Sequence, residues 1–325
     1  MKTVNTVLGP LETSEIGFAL MHDHILGATG GIPQTYPELL GKNLKERIVK
    51  GLVDAKKAGI NTVVDADTFD LGRAVKILAE VSRDSGVNII CCTGWYIDLP
   101  RYLGFFTADQ FAQIFAREVT EGIEGTSIKA GIIKSAADFE GVTPTGAILL
   151  RGVARAQLMT GVPIMLHSYS PDQIGRQQLA ILKEEGVDLR RVKVDHLPDT
   201  ADMEYITWVA EQGCYLGMDR LPGIHVPPLS RVSPEGRVKT IKALIDAGYT
   251  SRILLGHDTF LVSSFFDTLP EVAKKKLETD NPYGFLYINK FVLPKLRELG
   301  VSEKIIHSIC VDNPRAFFEG SLANK

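Results

Sequence analysis

Eight short apolar runs, separated by amphipathic stretches, are the feature of this sequence that most limits its fold. The runs have the length of β-strands and cover residues 16–24, 60–65, 87–94, 130–134, 162–167, 192–196, 214–219 and 253–258. Strand–helix alternation is typical of a parallel sheet whose two faces are covered. Eight such units within 325 residues favour a closed (β/α)8 TIM barrel, an α/β fold, over an open doubly wound sheet.

Helices are predicted between the runs, where apolar residues recur at helical spacing, as in Phe111, Ile114 and Phe115. Their predicted bounds are 43–58, 73–85, 107–124, 146–160, 171–185, 203–212 and 238–247. Beyond the last run, extra C-terminal helices are predicted within 282–318, at 286–299 and 303–311. No domain boundary interrupts the pattern, so a single domain over residues 1–325 is expected.

The charge and cysteine content argue against several functional classes. The formal net charge is −3, from 36 basic and 39 acidic residues without a basic stripe, so no nucleic-acid partner is expected. No signal peptide is recognised and no apolar run approaches the ~20 residues of a membrane span, so no membrane partner is expected either. The four cysteines fit neither a zinc-site spacing nor a disulfide framework. They are expected to be buried free thiols, which favours a cytoplasmic location.

Residue types that bind metals stand at the ends of the predicted strands, where a barrel carries its active site. The candidates are His22, His24, Lys134, His167, His196 and Asp258. His22 and His24 share one strand face, and Asp23 between them faces away and is not an expected ligand. Four imidazoles and a carboxylate form a transition-metal ligand set, and five ligands exceed one tetrahedral ion with an open position. Two ions are therefore predicted, although each histidine alone is equally explained as a hydrogen-bonded rim residue.

Lys134 does not fit this ligand set as an ordinary lysine. An ammonium beside two dications is repelled, so its charge must be lost. The alternative is a lysine that reaches out of the barrel to a carboxylate. A metal-free binding module is a further alternative, but it predicts lost ligand positions, and here all six are present.

Four segments carry a resemblance to a known family. They are 18–24 (FALMHDH), 68–73 (TFDLGR), 129–134 (KAGIIK) and the pair Asn313–Pro314. On these segments the chain resembles the phosphotriesterase-like family of the amidohydrolase superfamily over essentially its whole length. Asp23 stands where that family more often has Glu. The resemblance implies a metal-dependent hydrolase with two divalent ions, zinc being expected and cobalt, manganese, iron or nickel the alternatives.

The resemblance also assigns the candidate ligands. It implies that His22, His24 and Asp258 bind the buried ion and that His167 and His196 bind the exposed one. Lys134 is implied to be an N6-carboxylysine, whose CO2-derived carbamate bridges both ions and removes the charge conflict. Asp258 is the implied acceptor of the nucleophile's proton, because it contacts the buried ion.

Further catalytic and substrate-binding residues follow from the same resemblance. Asp199 matches the family's partner carboxylate, with a helix cap as the alternative. Arg220 stands where the triesterases carry a histidine and the lactonases an arginine. Tyr96, with Trp95 beside it, is implied to lie near the metals and to bind substrate, with loop packing as the alternative.

The substrate prediction combines features of two branches. Residues 94–100 and Arg220 are lactonase-like, whereas Thr68–Asp70 is closer to the triesterases, and the loop 221–235 is shorter than theirs and rich in proline. We therefore expect hydrolysis of lactones, including N-acyl homoserine lactones, with promiscuous phosphotriesterase activity. Alternatives are a primary organophosphate phosphotriesterase, or a hydrolase of another small ester or phosphodiester. A homodimer is also implied, with apolar stretches near Tyr36, Phe69 and 95–106 as its expected contacts.

Overall fold

A parallel sheet forms the centre of the fold, and it begins after an N-terminal hairpin. A computed structural model describes residues 2–97, 99–222, 232–264 and 269–320. The hairpin pairs β1 (Thr3–Thr6) with β2 (Gly9–Glu12) in antiparallel fashion. The strands of the parallel sheet are β3 (Ala19–Gly27), β4 (Thr62–Asp65), β5 (Asn88–Gly94), β6 (Ile132–Ala137), β7 (Ile164–Ser168), β8 (Val192–Val194), β9 (Tyr215–Met218), β10 (Ile253–Leu255) and β11 (Phe260–Ser263).

Two neighbouring segments of the chain close this sheet into a barrel. The strand order runs from β10 through β9 back to β3 and ends at β11, so β10 and β11 are its two edges. Only residues 256–259 separate these edges along the chain. Across that gap, the Asp258 amide donates to the His22 carbonyl at 3.0 Å and the His24 amide donates to the Thr259 carbonyl at 3.1 Å. The segment 253–263 therefore forms the eighth strand, or stave, of the barrel, after the seven staves β3 to β9. The predicted (β/α)8 barrel is confirmed.

Helices surround the barrel on its outer side. They are α1 (Ile32–Thr35), α2 (Leu44–Lys57), α3 (Val75–Ser85), α4 (Ala108–Thr120), α5 (Pro144–Thr160), α6 (Gly175–Glu184), α7 (Met203–Glu211), α8 (Pro234–Asp246), α9 (Glu271–Asp280), α10 (Leu293–Glu298), α11 (Glu303–His307) and α12 (Asn313–Glu319). None of the helices in the described ranges is long and apolar enough to cross a membrane.

Local capping explains where these helices differ from the predicted bounds. Helix α8 begins four residues before the predicted start, because the Ser233 side chain accepts from the Gly236 amide and Pro234 occupies the first helical position. Helix α4 ends at Thr120 rather than 124, after a start fixed by a reciprocal capping box between Thr107 and Gln110. The C-terminal helices are broken by π-helical turns at Ile288–Val292 and Ser308–Asp312.

A β-bulge in the first stave decides which side chains face the barrel interior. Residues Ala19 and Leu20 pair with Thr62 and Val63, whereas the next pair joins Asp23 to Asp65. Two residues of β3, Met21 and His22, thus lie opposite the single residue Val64 of β4, which is the pattern of a bulge. It allows Met21 to join the buried interior cluster while His22 and His24 also point inward. Simple alternation along the strand does not predict this arrangement.

The N-terminal end of the barrel is sealed by the N-terminal hairpin, which the sequence pattern did not predict, and by the last helix of the predicted C-terminal helical layer. The Val7 amide donates to the Ile89 carbonyl at 2.9 Å, which ties the N-terminal hairpin to β5. Val4 from β1 and Phe317 from α12 belong to the same interior cluster as Met165 and Leu254 of the staves. The hairpin and the last helix therefore fill this end with side chains and leave the opposite end to polar groups.

The four cysteine thiols are expected to be unreactive in the folded protein. All four are free and buried, and burial raises the pKa of Cys91, Cys214 and Cys310 to about 12. The thiol therefore stays protonated and shielded at pH 8, and the thiolate is the reactive form. Titration with a chromogenic disulfide should detect no thiol in native protein and four in guanidinium chloride. Rapid native labelling of any thiol would contradict this burial.

Candidate metal centre

The six predicted metal-binding residues come together at the carboxyl ends of the staves. His22 and His24 Nε2 lie 3.3 and 3.1 Å from Asp258 Oδ1, so these three side chains form one group. His196 contacts the group, with its ring centroid 5.0 Å from that of His22. His167 Nδ1 faces His196 Nε2 at 2.7 Å. Lys134 and His167 follow the interior residues Ile132 and Met165 by two positions, which points them inward just above the barrel interior.

Three of the histidines are held by a carboxylate on one ring nitrogen. His22 Nδ1 donates to Asp195 at 2.9 Å, and His24 Nδ1 donates to Asp67 at 2.6 Å. His196 Nδ1 donates to Asp219 at 2.7 Å. Each carboxylate occupies Nδ1, so Nε2 is the ring nitrogen that faces the other residues of the cluster, which is the usual arrangement of metal-binding histidines.

One buried ring nitrogen of this group lies near a carboxylate but is not hydrogen-bonded within the described residues. His22 Nε2 is buried and has no hydrogen-bond partner in the described part of the chain. A buried polar atom without a partner costs about 1–3 kcal/mol, so such an atom calls for an explanation. A divalent cation satisfies it, and the anchored imidazoles around it are the donors that transition metals prefer. The residues present therefore fit the metal ions that the sequence predicted.

The electrostatics of the cluster keep His167, His196 and Asp258 in the protonation states that metals need. Burial lowers the pKa of His167 well below its usual range, and the neighbouring His196 ring lowers it further. Burial and the Arg220 guanidinium also lower the pKa of His196 well below its usual range. Burial opposes the charged form of Asp258, yet His22 and His196 hold its pKa well below the ordinary value. Neutral imidazoles and an ionised carboxylate are the forms that bind cations.

His24 differs from the other rings while no cation is present. Burial lowers its pKa, but the Asp67 carboxylate and the hydrogen bonds to Asp258 and Asp67 overcome this and raise the pKa to about 9. The imidazolium of His24 therefore supplies the positive charge between two carboxylates. A cation that binds there releases this proton.

Lys134 is fully buried and makes no ion pair within the described residues. Its Nζ donates to the Ala66 carbonyl at 3.0 Å and lies 5.0 Å from the centroid of the Tyr96 ring. The other fully buried lysine, Lys193, pairs directly with Asp195. An uncompensated buried ammonium costs several kcal/mol. This placement does not match the alternative of a lysine reaching out to a carboxylate.

Arg220 joins Asp258 to Asp199 at the rim of the cluster. Its Nε donates to Asp258 Oδ2 at 2.9 Å, and its terminal nitrogen donates to Asp199 Oδ2 at 2.5 Å. His196, Arg220 and Asp258 all have left-handed backbone conformations, with φ of 62°, 50° and 52°. Such a conformation is uncommon outside glycine, and here it turns the chain at the end of three neighbouring staves.

Tyr96 lies against the cluster, whereas the ring of Trp95 is directed elsewhere. The Tyr96 ring meets His167 edge to face at 5.0 Å, and burial raises the pKa of its phenol well above the ordinary value. Trp95 contacts Phe69 at 5.5 Å between ring centroids. The Tyr96 amide donates to Asp70 at 3.2 Å, which ties this loop to the segment after β4. Most of the loop 221–235, residues 223–231, lies outside the described residues.

Sequence reasoning missed the carboxylates that anchor the rings, namely Asp67, Asp195 and Asp219. Asp195 and Asp219 follow a stave directly, and Asp67 follows one after a single intervening residue. This position was the available signal. Asp195 precedes His196 in the chain but contacts His22 of another stave. Asp23 faces away from the cluster, as predicted, and its Oδ2 lies 3.3 Å from His257 Nδ1. The curvature of the barrel, rather than any spacing in the sequence, sets these partners.

Gly94 is expected to tolerate no side chain. Its φ is +107°, and an added Cβ would lie 1.9 Å from the Lys134 carbonyl oxygen. Gly94→Ala must therefore move the backbone that carries Lys134, and we expect a loss of at least about 3 kcal/mol in the free energy of unfolding. Urea denaturation measures it. Gly86→Ala is the matched control, because Gly86 also has positive φ but nothing lies within 4 Å of its Cβ. The control should lose about 1–2 kcal/mol in the free energy of unfolding. A loss no larger than this in Gly94→Ala would contradict the clash.

Comparisons with known proteins agree with this geometry. A sequence profile of the phosphotriesterase family matches residues 2–318. The chain belongs to the phosphotriesterase family. A phosphotriesterase homology protein of Mycobacterium tuberculosis is 35% identical over 331 residues, which cover 98% of each chain. An aryldialkylphosphatase of Saccharolobus solfataricus is 33% identical over 311 residues, or 95% of this chain and 96% of that protein.

A more distant relative carries a different activity in its name. The N-acetyltaurine hydrolase of Rattus norvegicus is 26% identical and covers 96% of each chain. As a member of the phosphotriesterase family, this chain is a metal-dependent hydrolase, and the predicted family is confirmed. The individual site residues and the substrate stay predictions.

Proposed function

We propose that this phosphotriesterase-family chain is a binuclear metal hydrolase that opens lactones, including N-acyl homoserine lactones, and also cleaves phosphotriesters. The observation that carries the proposal is the set of three histidines whose Nδ1 atoms are anchored by buried carboxylates, while Nε2 of His22 has no hydrogen bond within the described part of the chain. His22, His24 and Asp258 would hold one ion, and His167 and His196 the other. Zinc is the proposed metal, with cobalt, manganese, iron and nickel as alternatives.

The chemistry divides between bound metal ions and the side chains of the chain itself. Two divalent ions supply Lewis acidity and a water of lowered pKa. Asp258 Oδ2 receives a proton in the reaction and holds it beside the Arg220 guanidinium. The phenol of Tyr96 stays protonated, because burial raises its pKa, and it donates a hydrogen bond to the substrate oxygen.

Lys134 is proposed to carry a carbamate on Nζ. A fully buried ammonium with no ion pair in the described ranges is costly, whereas a carbamate is an anion with two oxygens. Addition of CO2 to the neutral amine forms the N–C bond and releases one proton. The modified side chain would then bind both ions and offset their charge.

Lactones are the first proposed substrates because of Arg220. Asp199 and Asp258 fix its guanidinium. By the family resemblance, this is the position at which the triesterases carry a histidine. Phosphotriesters are the second candidate, and the relative named aryldialkylphosphatase favours them. Lactone opening passes through a tetrahedral intermediate that resembles a phosphorus centre in shape, so one site accommodates both reactions.

Purified protein loaded with Zn²⁺ or Co²⁺ in bicarbonate should be assayed with a panel of lactones and phosphotriesters. We expect kcat/KM to be highest for a long-chain lactone and measurable for a phosphotriester. Tyr96→Phe should reduce kcat by roughly 10–100-fold, since it removes one donor to the reacting oxygen. A phosphotriester value far above all lactone values would reverse the proposed order, and an N-acyl amide added to the panel tests the activity named in the distant relative.

A second copy of the chain is the proposed protein partner. Apolar side chains that are half exposed or more include Tyr36, Leu39, Phe69, Tyr102 and Phe105. Exposed apolar groups of this size mark interaction surfaces when they are contiguous. Light scattering should give the mass of a dimer, and Phe69→Glu should shift it toward the monomer. The buried thiols suit a reducing compartment, and we propose the cytoplasm as the location.

A further inference from the structure

Arg237 is a buried charged residue that the proposed chemistry leaves unexplained. It lies in the first turn of α8 and is fully buried. The amino end of a helix carries a partial positive charge, so an arginine is locally unfavourable there. The Arg237 guanidinium must therefore be stabilised by contacts from elsewhere in the fold.

Those contacts lead to Asp199. Arg237 donates from a terminal nitrogen to Asp199 Oδ1 at 2.7 Å, and its Nε donates to the Val232 carbonyl at 3.3 Å. Asp199 Oδ2 accepts from Arg220 at 2.5 Å. Asp199 is 3% exposed, and each of its oxygens is held by a different guanidinium. A carboxylate whose two oxygens are each held by a guanidinium is fixed in position, and it fixes the positions of both arginines in turn.

The chain of contacts ends on a proposed metal ligand. Arg220 uses two nitrogens on two carboxylates, so Asp199 on one side sets the position from which Nε reaches Asp258 Oδ2. Asp258 Oδ1 in turn faces His22 and His24. The two arginines and two aspartates balance in charge, and a buried network of this kind is rigid only when every member is present.

We propose that Arg237 is a positioning residue of the active site, which acts through Asp199 and Arg220 to orient Asp258, and that Asp199 is the anchor between the two arginines. This inference rests on the proposed function, because Asp258 must be a ligand and proton acceptor for its orientation to matter. It assigns to Arg237 a role that neither its helix nor its local sequence suggests.

The test compares Arg237→Met, Arg237→Lys, Asp199→Asn and the double variant Arg237→Met/Asp199→Asn. We expect Arg237→Met to lower kcat by roughly 10²-fold with little change in KM, as for a misplaced catalytic group. Lysine keeps one charged donor, so Arg237→Lys should recover kcat to within about tenfold of the original. The double variant should be no slower than Asp199→Asn, because residues that act in one chain are not additive.

A matched control is Arg73→Met, which removes another buried arginine, held by Glu118 rather than by the site. It should lower the melting temperature and leave kcat unchanged at temperatures where the protein is folded. A normal kcat in Arg237→Met together with a large loss in Asp199→Asn would overturn the proposal, as would additive losses in the double variant. If Arg237→Met does not fold, Arg237→Lys decides instead. A partial loss of kcat in that variant supports the proposal, and an unchanged kcat contradicts it.

A second measurement separates this inference from the proposed substrates. The visible spectrum of the Co²⁺-loaded protein depends on the ligand geometry and not on turnover. Arg237→Met should change this spectrum at full cobalt content, and Arg73→Met should not. If the original protein hydrolyses none of the panel, the proposed function fails, yet the spectrum still tests the positioning role. An unchanged spectrum in Arg237→Met would overturn it.

Discussion

Lys134→Ala is expected to lose both metal ions and to lower kcat/KM by at least about 10³-fold, equivalent to roughly 4 kcal/mol of transition-state stabilisation. The physical reason is that a bridging carbamate would be the one ligand shared by the two ions, and alanine has no atom that replaces it. Metal content by elemental analysis and kcat/KM for the best substrate of the panel measure the two effects. Loading with and without bicarbonate should show that recovery of activity depends on CO2.

Lys129→Ala is the matched control for this variant. It makes the same substitution in the same segment, five residues before Lys134, and we expect two ions and normal activity. Lys134→Met provides a further check on metal-free protein, because removing a buried ammonium that has no ion pair in the part of the chain that the structure describes should not lower the free energy of unfolding. Full metal content and activity in Lys134→Ala would refute the carbamate.

Asp258→Asn is expected to lower kcat/KM by about 10³-fold and metal affinity by roughly 10–100-fold. Asparagine keeps the shape of the side chain but loses the charge that both His22 and His24 face, and it no longer accepts a proton. Arg220 is then left without one of its two carboxylate partners. Competition with a chromophoric chelator gives the affinity, and steady-state kinetics give the activity.

The control for Asp258→Asn is Asp246→Asn, which removes a carboxylate paired with Lys242 on the surface of α8. A surface ion pair contributes about 0–1 kcal/mol, so this change should leave metal content and kcat/KM intact. Activity within tenfold of the original in Asp258→Asn, with both ions bound, would show that Asp258 is neither ligand nor proton acceptor.

The staves of the barrel were predictable because their signal is local. A buried parallel strand is a short apolar run, and the eight predicted runs all overlap strands of the closed sheet. The hairpin of β1 and β2 was not predictable in the same way. Gly9–Glu12 contains a proline and a glutamate, and this strand is stabilised by its pairing with β1, in a hairpin that the Val7 amide ties to β5, rather than by its own pattern.

The bulge in β3 shows the limit of simple periodicity. Alternation correctly places His22 and His24 on one face, but it also places Met21 on the opposite face, whereas Met21 lies in the barrel interior. An extra residue in the pairing with β4 resolves the conflict. Register is a property of two strands together, and the sequence of one strand does not specify it.

The sequence by itself determined the alternating fold class and the residue types at the carboxyl ends of the staves, because both follow from local periodicity and chemical identity. Only the tertiary structure decided which carboxylate anchors which imidazole, that Lys134 has no ion pair among the described residues, and that Arg237 reaches Asp199. Asp195 and His22 are 173 residues apart, and Asp199 and Arg237 are 38 apart. Closure of the barrel brings such residues within hydrogen-bonding distance, and no spacing in the sequence specifies which of them it pairs.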